Sequence, residues 1–465
     1  MLGERFIHGV SGIVQKQHDR CFNFSGSRSS RFSARIAQYV RVILFTICIR
    51  GVAVARLPSK QIARVRSPSD ALTINAGGFL MHRVYLDNAA TTPLHPAALE
   101  AMMPYFSDSC FNPSAGYSMS AAVMDAVEHA REQVAHALGA KSQHIIFTSG
   151  GTESNNLAIL GYARRMKPHG KHIITTQIEH KSVLNACKQL AKEGFEVTYL
   201  PVDKMGLISL EHLRTAMRPD TILVSVMAAN NEIGTIQPLV AIGKLCRNYN
   251  PGVLAYHVDA VQAVGQMTLN VQLIGCDFMS ISAHKFHGPK GVGALYARHC
   301  VEPILYGGDQ EKGVRAGTLN VPGIIGMGKA IELADRQRSS TYDHLSRLQR
   351  CMSRQLAGLQ GVHLNGCPIG PARLPSNISL TIDGVDASGL LASLELYGIL
   401  ASAGSACNTA SMEPSYVLKA IGLTDEQAWN TIRLSMSDQT TTEDVEYVCD
   451  RMIKCAEQIR SMNAG

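Results

Sequence analysis

Residues that could do chemistry first stand out in a glycine-rich segment, Thr148–Asn156, which reads Thr-Ser-Gly-Gly-Thr-Glu-Ser-Asn-Asn. It follows a strand-like run and precedes the helical run Leu157–Met166. The free backbone N–H groups of a Gly-rich turn at a helix N-terminus suit a phosphate. A plain strand-to-helix loop with a Thr or Ser cap explains the same residues equally well. The segment alone therefore leaves both interpretations open.

Two further segments place an acid and a lysine at the ends of predicted strands. Asp259, in His257–Gln262, lies where open α/β sheets bind ligands, and its carboxylate could hold a protonated ring nitrogen. Taken alone, an N-cap aspartate is the favoured alternative. Lys285, in Ser280–Gly291, is a candidate Schiff-base nucleophile, with a solvated loop lysine as the alternative. Its neighbour Lys290 lies in a Gly-Pro-Lys-Gly turn and is interpreted as structural.

The order of these three segments favours one cofactor. A phosphate cradle, an acid for a pyridinium nitrogen and a lysine are what pyridoxal 5′-phosphate (PLP) requires, since PLP acts as an electron sink attached to a lysine. The sequence therefore predicts PLP.

One cysteine has an unusual setting. Cys407 lies in a run of small residues, Ala403–Ser411, with no partner at the CxxC spacing of metal ligands. Small residues suit a mobile loop that carries a nucleophilic thiol. A buried structural cysteine is the alternative, and it is our interpretation of the other eleven.

The elements that must position these residues alternate between strands and helices. Helical spacing is clearest over 120–138, with Val123, Val127 and Val134 among its apolar residues. Alternation of this kind predicts βαβ units and a mostly parallel sheet. The strand-like runs are Ile145–Phe147, His172–Thr176, Val197–Leu200, Leu223–Met227, Ala255–Val258, Phe278–Ser282 and Gly293–Ala297.

The pattern changes after about residue 330. A helical stretch over 327–358 precedes the strand-like run Asn377–Ile382, and a helix is predicted over 441–462. We predict an α/β fold with a large domain at 81–330, built on a mostly parallel seven-stranded sheet, and a smaller α+β C-terminal domain at 331–465 that carries the cysteine loop.

Charge is concentrated at the N-terminus. The net charge is +7, but residues 1–80 alone carry +9, from ten Arg and two Lys against three acidic residues. The remaining 385 residues carry −2. The folded part therefore lacks the basic surface expected of a nucleic-acid-binding protein, and no direct nucleic-acid partner is predicted. The scattered cysteines suit a reducing compartment.

Residues 1–80 are rich in Ser and Arg, as mitochondrial presequences are. Their longest apolar run, Val42–Ile49, has eight residues, and a spanning helix needs about 20, so no membrane segment is predicted. A chain starting at Met81 would contain every motif. We interpret residues 1–80 as a poorly ordered extension. It is either a dispensable segment or one that results from a wrongly assigned start codon, or else it is a targeting peptide.

From Met81 to about residue 460, the chain resembles the PLP-dependent cysteine desulfurases, of the class-V aminotransferase group with PLP fold type I. The cysteine run ending at Tyr416 resembles the branch with a long, mobile cysteine loop. The matching motifs are Asp87–Pro93, Thr148–Asn156, Glu179–Lys181, Asn230–Gly234, His257–Gln262, Ser282–Gly291, Arg315–Thr318 and Gly404–Tyr416.

The resemblance implies roles for individual residues. Lys285 would form the Schiff base, His180 would stack on the pyridine ring and help move protons, and Cys407 would be the thiol nucleophile. Asp259 would pair with the ring nitrogen, and Gln262 would approach the phenolic oxygen. The remaining implied residues are Gly151, Thr152, Ser282 and His284 at the phosphate, Thr318 reaching it from the second subunit of a homodimer, and Asn231 and Arg433 at the substrate carboxylate.

The implied reaction converts L-cysteine to L-alanine and leaves a persulfide on Cys407. The sulfur then passes to an iron–sulfur scaffold or another acceptor protein. No metal ligand is expected, except that Cys407 is a candidate transient iron–sulfur ligand. The early end of the chain after its last helix favours a bacterial-type cytoplasmic enzyme, and the alternative is the mitochondrial matrix if residues 1–80 are a presequence.

The chain departs from the family pattern at two places near the site. Ala115–Ser118 stands where a histidine is usual, and Ser437-Asp438-Gln439 stands where Gly-Arg is usual. These departures concern the substrate entrance and the dimer, and not the PLP site. Rival functions are a selenocysteine lyase or aminotransferase of the same fold, and a non-catalytic sulfur-relay protein. Cys407 disfavours the transaminase, and the presence of Lys285 and Asp259 disfavours the non-catalytic protein.

Overall fold

The computed structural model describes residues 73–74, 80–403 and 413–463. Residues 1–72, 75–79, 404–412 and 464–465 lie outside the described part, so the predictions for the N-terminal extension and for Cys407 lie there too. Among the described residues, no helix is both long and apolar enough to cross a membrane.

The central element is a seven-stranded sheet within residues 145–297, all of which are described. Its order is β4-β10-β9-β8-β7-β5-β6. Strands β5 to β9 run parallel, whereas β10 is antiparallel to both β9 and β4. The predicted mostly parallel seven-stranded sheet is confirmed. The strands are β4 Ile145–Thr148, β5 His172–Thr176, β6 Glu196–Leu200, β7 Thr221–Ser225, β8 Ala255–Asp259, β9 Phe278–Ser282 and β10 Gly293–Ala297.

The burial of these strands explains their sequences. Every residue of β5, β7, β8, β9 and β10 is buried, as expected for a parallel sheet covered by helices on both faces. The two edge strands are less buried, since only Leu200 is buried in β6 and Ile146 is partly exposed in β4. The carboxyl ends of β8 and β9 meet at one edge of the sheet, and this edge carries Asp259 and the loop of Lys285.

Helices cover both faces. The longest, α9, runs through residue 330, and α2 packs its Val123, Val127 and Val134 side into the main hydrophobic cluster. The helices are α1 Pro96–Met102, α2 Ser118–Leu138, α3 Gly151–Asn156, α4 Tyr162–Met166, α5 Lys181–Lys192, α6 Leu210–Ala216, α7 Leu239–Tyr249, α8 Val271–Ile274, α9 Val321–Leu356, α10 Ala387–Glu395, α11 Tyr416–Ala420, α12 Asp425–Trp429 and α13 Thr442–Asn463.

A second sheet has the order β11-β12-β15-β14, with antiparallel neighbours. Its apolar side chains join those of α10, α13 and the second half of α9 in a separate hydrophobic cluster. Val84 and Leu86 belong to this cluster, because β3 pairs with β13 rather than with the central sheet. The strands are β11 Val362–Leu364, β12 Asn377–Ile382, β13 Ile399–Leu400, β14 Ser402–Ala403 and β15 Thr431–Ser435, and the short strands before them are β1 Thr73–Ile74, β2 Leu80–Met81 and β3 Val84–Tyr85.

Several predicted bounds differ from the structure by one or two residues, and three elements differ further. The helix predicted over 327–358 begins earlier, since α9 covers Val321–Leu356. The run predicted as a strand over Leu223–Met227 forms β7 at Thr221–Ser225, because pairing with β8 ends at Ser225 although buried apolar residues continue to Met227. The helix predicted from Leu157 to Met166 is interrupted, since Leu157–Gly161 forms a π-helical turn between α3 and α4.

Candidate active site

The segment between β4 and α3 forms the floor of an open pocket. Gly150 has φ 148°, a conformation that favours glycine, and a Cβ on Gly151 would lie 2.6 Å from Val261 Cγ2. Both glycines are therefore required by the local geometry. The N-terminus of α3 faces the pocket with its free backbone N–H groups. The residues around this pocket are Ala90, Thr91, Ser149, Gly150, Gly151, Thr152, Glu153, Ser282, His284, Lys290 and Gly291.

This pocket brings together the four residues predicted to hold a phosphate, which are Gly151, Thr152, Ser282 and His284. It also includes Lys290, which the sequence analysis interpreted as a turn residue. Burial, together with the charges of Lys285 and Lys290, lowers the pKa of His284 to about 4, so its ring is neutral at pH 7.

Asp259 lies at the end of β8 and is 5% exposed. Its Oδ2 accepts a hydrogen bond from Asn155 Nδ2 at 2.7 Å, and its Oδ1 accepts from the backbone N–H of Val261 at 3.0 Å. Asn155 also donates to Ser182 Oγ at 2.8 Å, while its Oδ1 is buried with no hydrogen-bond partner among the described residues. Asn155 was missed in the sequence analysis, although it lies within the Gly-rich motif.

His180 caps α5 and completes this network. Its Nδ1 accepts from the backbone N–H of Ser182 at 3.1 Å and lies 2.7 Å from Ser182 Oγ. A ring nitrogen that accepts a backbone N–H carries no proton, so the proton of the neutral ring lies on Nε2. Burial lowers the pKa of His180, the charge of Asp259 opposes this, and the charge of Lys285 adds to it.

Lys285 follows β9 in a single 3₁₀ turn, Ala283–Lys285. Its Nζ donates to the carbonyl oxygens of Ala89 and Ala90, at 2.5 and 2.8 Å. Gln262 Nε2 donates to the same Ala89 carbonyl at 3.0 Å. Lys285 and Gln262 are therefore held by the same backbone segment.

Arg433 is central on β15 and only 4% exposed. Its Nη2 lies 2.6 Å from Asp87 Oδ1, and its Nη1 donates to the Asn231 carbonyl at 3.0 Å. Its Nε is buried and has no hydrogen-bond partner in the described part of the chain. A buried guanidinium with an unused donor suits a carboxylate ligand. Arg433 and Asn231, predicted to bind the same carboxylate, are thus in contact.

Two predicted residues are not brought into this group. Thr318 is exposed and is absent from the phosphate pocket of its own chain. Its loop is tied to α3, because Arg315 Nε lies 2.8 Å from Glu153 Oε1. Cys407 lies outside the described residues.

The residues fit PLP by their chemistry. The pocket at α3 offers backbone N–H groups, a hydroxyl and a lysine to a phosphate, Asp259 offers a carboxylate to a ring nitrogen, and Lys285 offers an amine to an aldehyde. The unused donor of Arg433 and the unused acceptor of Asn155 are both buried here. Within the described ranges, no group of three or more His, Cys, Asp or Glu residues could hold a metal ion.

Comparison with known proteins decides the family. The model of the family "Aminotransferase class-V" matches residues 84–448. The chain belongs to the class-V aminotransferase family. Within this family it belongs with the cysteine desulfurases. It is 46% identical to "Cysteine desulfurase IscS" of Dictyoglomus turgidum over 387 residues, covering 83% of this chain and 97% of that protein. It is 43% identical to the human "Cysteine desulfurase" over 406 residues, covering 85% of this chain and 86% of that one.

Solved structures of this family have the same fold. A "NIFS-LIKE PROTEIN" matches with a TM-score of 0.75 at 38% identity, covering 81% of this chain and all of that one. A structure titled "SspA in complex with cysteine" matches with a TM-score of 0.67 at 36% identity, covering 77% and 99% of the two chains. The class-V fold predicted from the motifs is thereby confirmed.

Proposed function

We propose that this chain, a cysteine desulfurase, uses PLP held at the site of Lys285 to convert L-cysteine to L-alanine, with the sulfur transferred to Cys407 as a persulfide. The observation that carries the proposal is the grouping of Lys285, Asp259 and His180. Residues 87–90 connect this group to the buried Arg433, which has an unused donor, because Asp87 pairs with Arg433 and the Ala89 and Ala90 carbonyls accept from Lys285. The site then contains an amine, an acid, a proton carrier and a group that binds the substrate carboxylate.

The residues that would hold PLP divide by its chemical groups. The phosphate would lie at Gly151, Thr152, Ser282 and His284, with Lys290 as a counter-charge. Asp259 would face the ring nitrogen, held in place by Asn155. We also propose that Thr318 reaches this phosphate from the second subunit of a homodimer, which is supported by its exposure.

Bound PLP would withdraw electrons from the α-carbon of the amino acid and so acidify its α-proton. Arg433 binds the substrate carboxylate through its fork and, with Asn231, fixes the orientation of the α-carbon. Lys285 moves the α-proton through Nζ, and His180, neutral with its proton on Nε2, carries a proton beside it. The carboxylate of the buried Asp259 would pair with a protonated ring nitrogen.

The sulfur step balances without an external oxidant. The Cys407 thiolate attacks the sulfur of L-cysteine, an S–S bond forms, and the substrate C–S bond breaks. The carbon that loses sulfur gains a proton, so L-cysteine and one thiol give L-alanine and one persulfide. The sulfur would then pass to an iron–sulfur scaffold or another acceptor protein.

We propose two domains, 81–330 and 331–465, a division supported by the two largest hydrophobic clusters, which are separate. Val84 and Leu86 join the second of these clusters, a smaller cluster joins both ranges, and α9 runs through both ranges. We propose a cytoplasmic location, with the mitochondrial matrix as the alternative. Fusing residues 1–80 to a fluorescent reporter in a eukaryotic cell distinguishes the two, because only a presequence would direct the reporter to mitochondria.

The proposed function is tested with purified protein, L-cysteine and a reductant. We expect sulfide and alanine in equal amounts, and a persulfide that peptide mapping places on Cys407. Cys407→Ser should keep the spectral change on adding L-cysteine but lose both products, because a hydroxyl stays protonated at pH 7.

Lys285→Ala should lose the visible absorbance of bound PLP and its borohydride-fixed attachment to the chain. Attachment at another lysine would overturn the assignment of Lys285. Alanine release at the original rate by Cys407→Ser would replace the desulfurase with a lyase or transaminase.

A further inference from the structure

His287 lies two residues after Lys285 in a strained backbone conformation. Its φ is 62°, in the left-handed region that residues other than glycine rarely adopt. Its neighbours hold it there: its N–H donates to Thr92 Oγ1 at 2.8 Å, and its carbonyl accepts from the N–H of His95 at 2.9 Å. The conformation of the lysine loop is therefore set by contacts with residues 92–95.

Both ring nitrogens of His287 face oxygen atoms that act as acceptors here. Nδ1 lies 2.9 Å from the carbonyl oxygen of Pro93, and Nε2 lies 3.2 Å from Oδ1 of Asp438. A neutral imidazole has one N–H, whereas the imidazolium has two, so the geometry requires the charged ring. Burial lowers the pKa of His287, but the hydrogen bond and charge of Asp438 outweigh it, and the net pKa is raised.

Asp438 belongs to the turn that follows β15, the strand of Arg433. The contact between His287 and Asp438 therefore joins the loop of the proton-moving lysine to the strand of the carboxylate-binding arginine. The sequence analysis assigned no role to Asp438 or to His287.

We propose that His287 and Asp438 are positioning residues, which together set the distance between Lys285 and Arg433 during the reaction. The proposal rests on the proposed function, since it assigns Lys285 and Arg433 their roles. Neither positioning residue needs to touch the substrate. Their effect is on alignment, and a misplacement of about 1 Å can cost a hundredfold in rate.

Few other charged groups surround His287 and Asp438. Asp438 and His287 line a cavity with His95 and Lys285, while α9 contributes only uncharged side chains to it, among them Gln337 and Thr341. The charge of His95 also lowers the pKa of Asp438, after the larger effect of His287.

The two pKa shifts determine the pH range in which the contact between His287 and Asp438 persists. The pKa of His287 is raised from 6.5, so the contact is complete below pH 6.5 and is lost as the pH rises through the raised value. The pKa of Asp438 is lowered from 3.8, so the contact is complete above pH 3.8 and is lost as the pH falls through the lowered value. Alignment should therefore fail on the alkaline side.

The first measurement is an NMR titration of histidine-labelled protein, with the His287 signal assigned by its loss in His287→Gln. Asp438→Asn should lower the pKa of His287, and Asp438→Glu should restore part of the shift. The matched control is Asp383→Asn, which removes the carboxylate of an exposed pair, His363 and Asp383, 2.9 Å apart on the β11–β12 hairpin. It should leave the His287 signal unchanged.

The second measurement is the pH profile of desulfuration. Asp438→Asn should move the alkaline loss of kcat to lower pH, with kcat about tenfold below wild type at pH 8 and KM for L-cysteine within about twofold, because the substrate carboxylate still meets Arg433. Asp438→Glu should recover most of kcat, and Asp383→Asn should follow the wild-type profile.

Each result decides the proposal. An unchanged His287 pKa in Asp438→Asn would show that the contact does not hold the charged ring. A lowered pKa with an unmoved kcat profile would show that the contact is structural only. If wild-type protein neither binds PLP nor releases sulfide, the proposed function fails, and with it the positioning role, while the titration alone still reports on the contact.

Discussion

Glu179→Gln should remove a large pH dependence of stability. Glu179 is fully buried, and its Oε1 accepts hydrogen bonds from Thr176 Oγ1 at 2.8 Å and from the backbone N–H of Met227 at 2.9 Å. Its Oε2 is buried with no hydrogen-bond partner among the described residues. Burial raises its pKa to about 8; the Met227 hydrogen bond opposes this, and the charge of Asp259 adds to it.

Proton linkage gives the sign and the size of the change in unfolding free energy with pH. Because the pKa rises from 4.5 to about 8 on folding, folded protein holds a proton on Glu179 that unfolded protein releases in this window. The stabilisation is complete below pH 4.5 and is lost as the pH rises through 8. One pKa unit corresponds to about 1.4 kcal/mol, so the wild type should lose about 4 kcal/mol between pH 5 and pH 9 from this group. A glutamine does not titrate and loses none of it.

The assay is urea unfolding at pH 5, 6, 7, 8 and 9, followed by circular dichroism and the fluorescence of the single tryptophan, at one protein concentration. The difference in unfolding free energy between Glu179→Gln and wild type should change by about 4 kcal/mol in favour of the variant across this range. The matched control is Glu457→Gln, an exposed position on α13, which should run parallel to wild type. A difference for Glu179→Gln that stays constant with pH would refute the reasoning.

Three further predictions test single contacts. Asp259→Asn should keep PLP bound but slow exchange of the substrate α-proton about a hundredfold, measured by deuterium incorporation, because a neutral amide no longer favours a protonated ring; wild-type exchange would contradict this. Arg131→Met should lower the free energy of unfolding by about 3–5 kcal/mol in urea, because it leaves the buried Glu311 carboxylate, 2.7 Å away, without its cation; a loss below 1 kcal/mol would contradict it. Deleting residues 1–80 should leave a folded, PLP-binding enzyme, and failure to fold would show that the extension is structural.

The sheet was predictable because burial dictates its residue types. Runs such as His172–Thr176 and Phe278–Ser282 are buried along their whole length, so their apolar and β-branched patterns give correct bounds. The direction of β10 was not predictable, since an antiparallel strand between β9 and β4 has no signature of its own in a run such as Gly293–Ala297. The end of β7 was misplaced for a related reason, because buried residues continue past the last pairing.

Residues of the site were predictable where a charged side chain comes at the end of a buried strand, or where the backbone requires glycine. Asp259 and Lys285 follow buried strands directly, and Gly150 has a backbone that favours glycine. Asn155 and Glu179 lie in quoted motifs but were given no role, because their contacts arise only on folding. Asn155 of α3 donates to Asp259 at the end of β8, and Glu179, just before α5, accepts from Thr176 and from Met227 beyond β7. The sequence of a motif does not show which neighbouring side chain one of its polar residues will contact in the folded protein.

The Asp87–Pro93 segment has a physical role that sequence reasoning did not reach. Asp87 pairs with Arg433, Ala89 and Ala90 accept from Lys285, and the Thr92 hydroxyl donates to the His284 carbonyl. Most of these contacts use backbone carbonyls, which every residue type possesses, so no side-chain pattern could have revealed them. The segment contacts β15, whose apolar residues belong to the second hydrophobic cluster. It also contacts the lysine loop, whose Phe286 belongs to the main cluster. The positions of lysine and arginine relative to each other therefore depend on this segment and on the contact of His287 with Asp438.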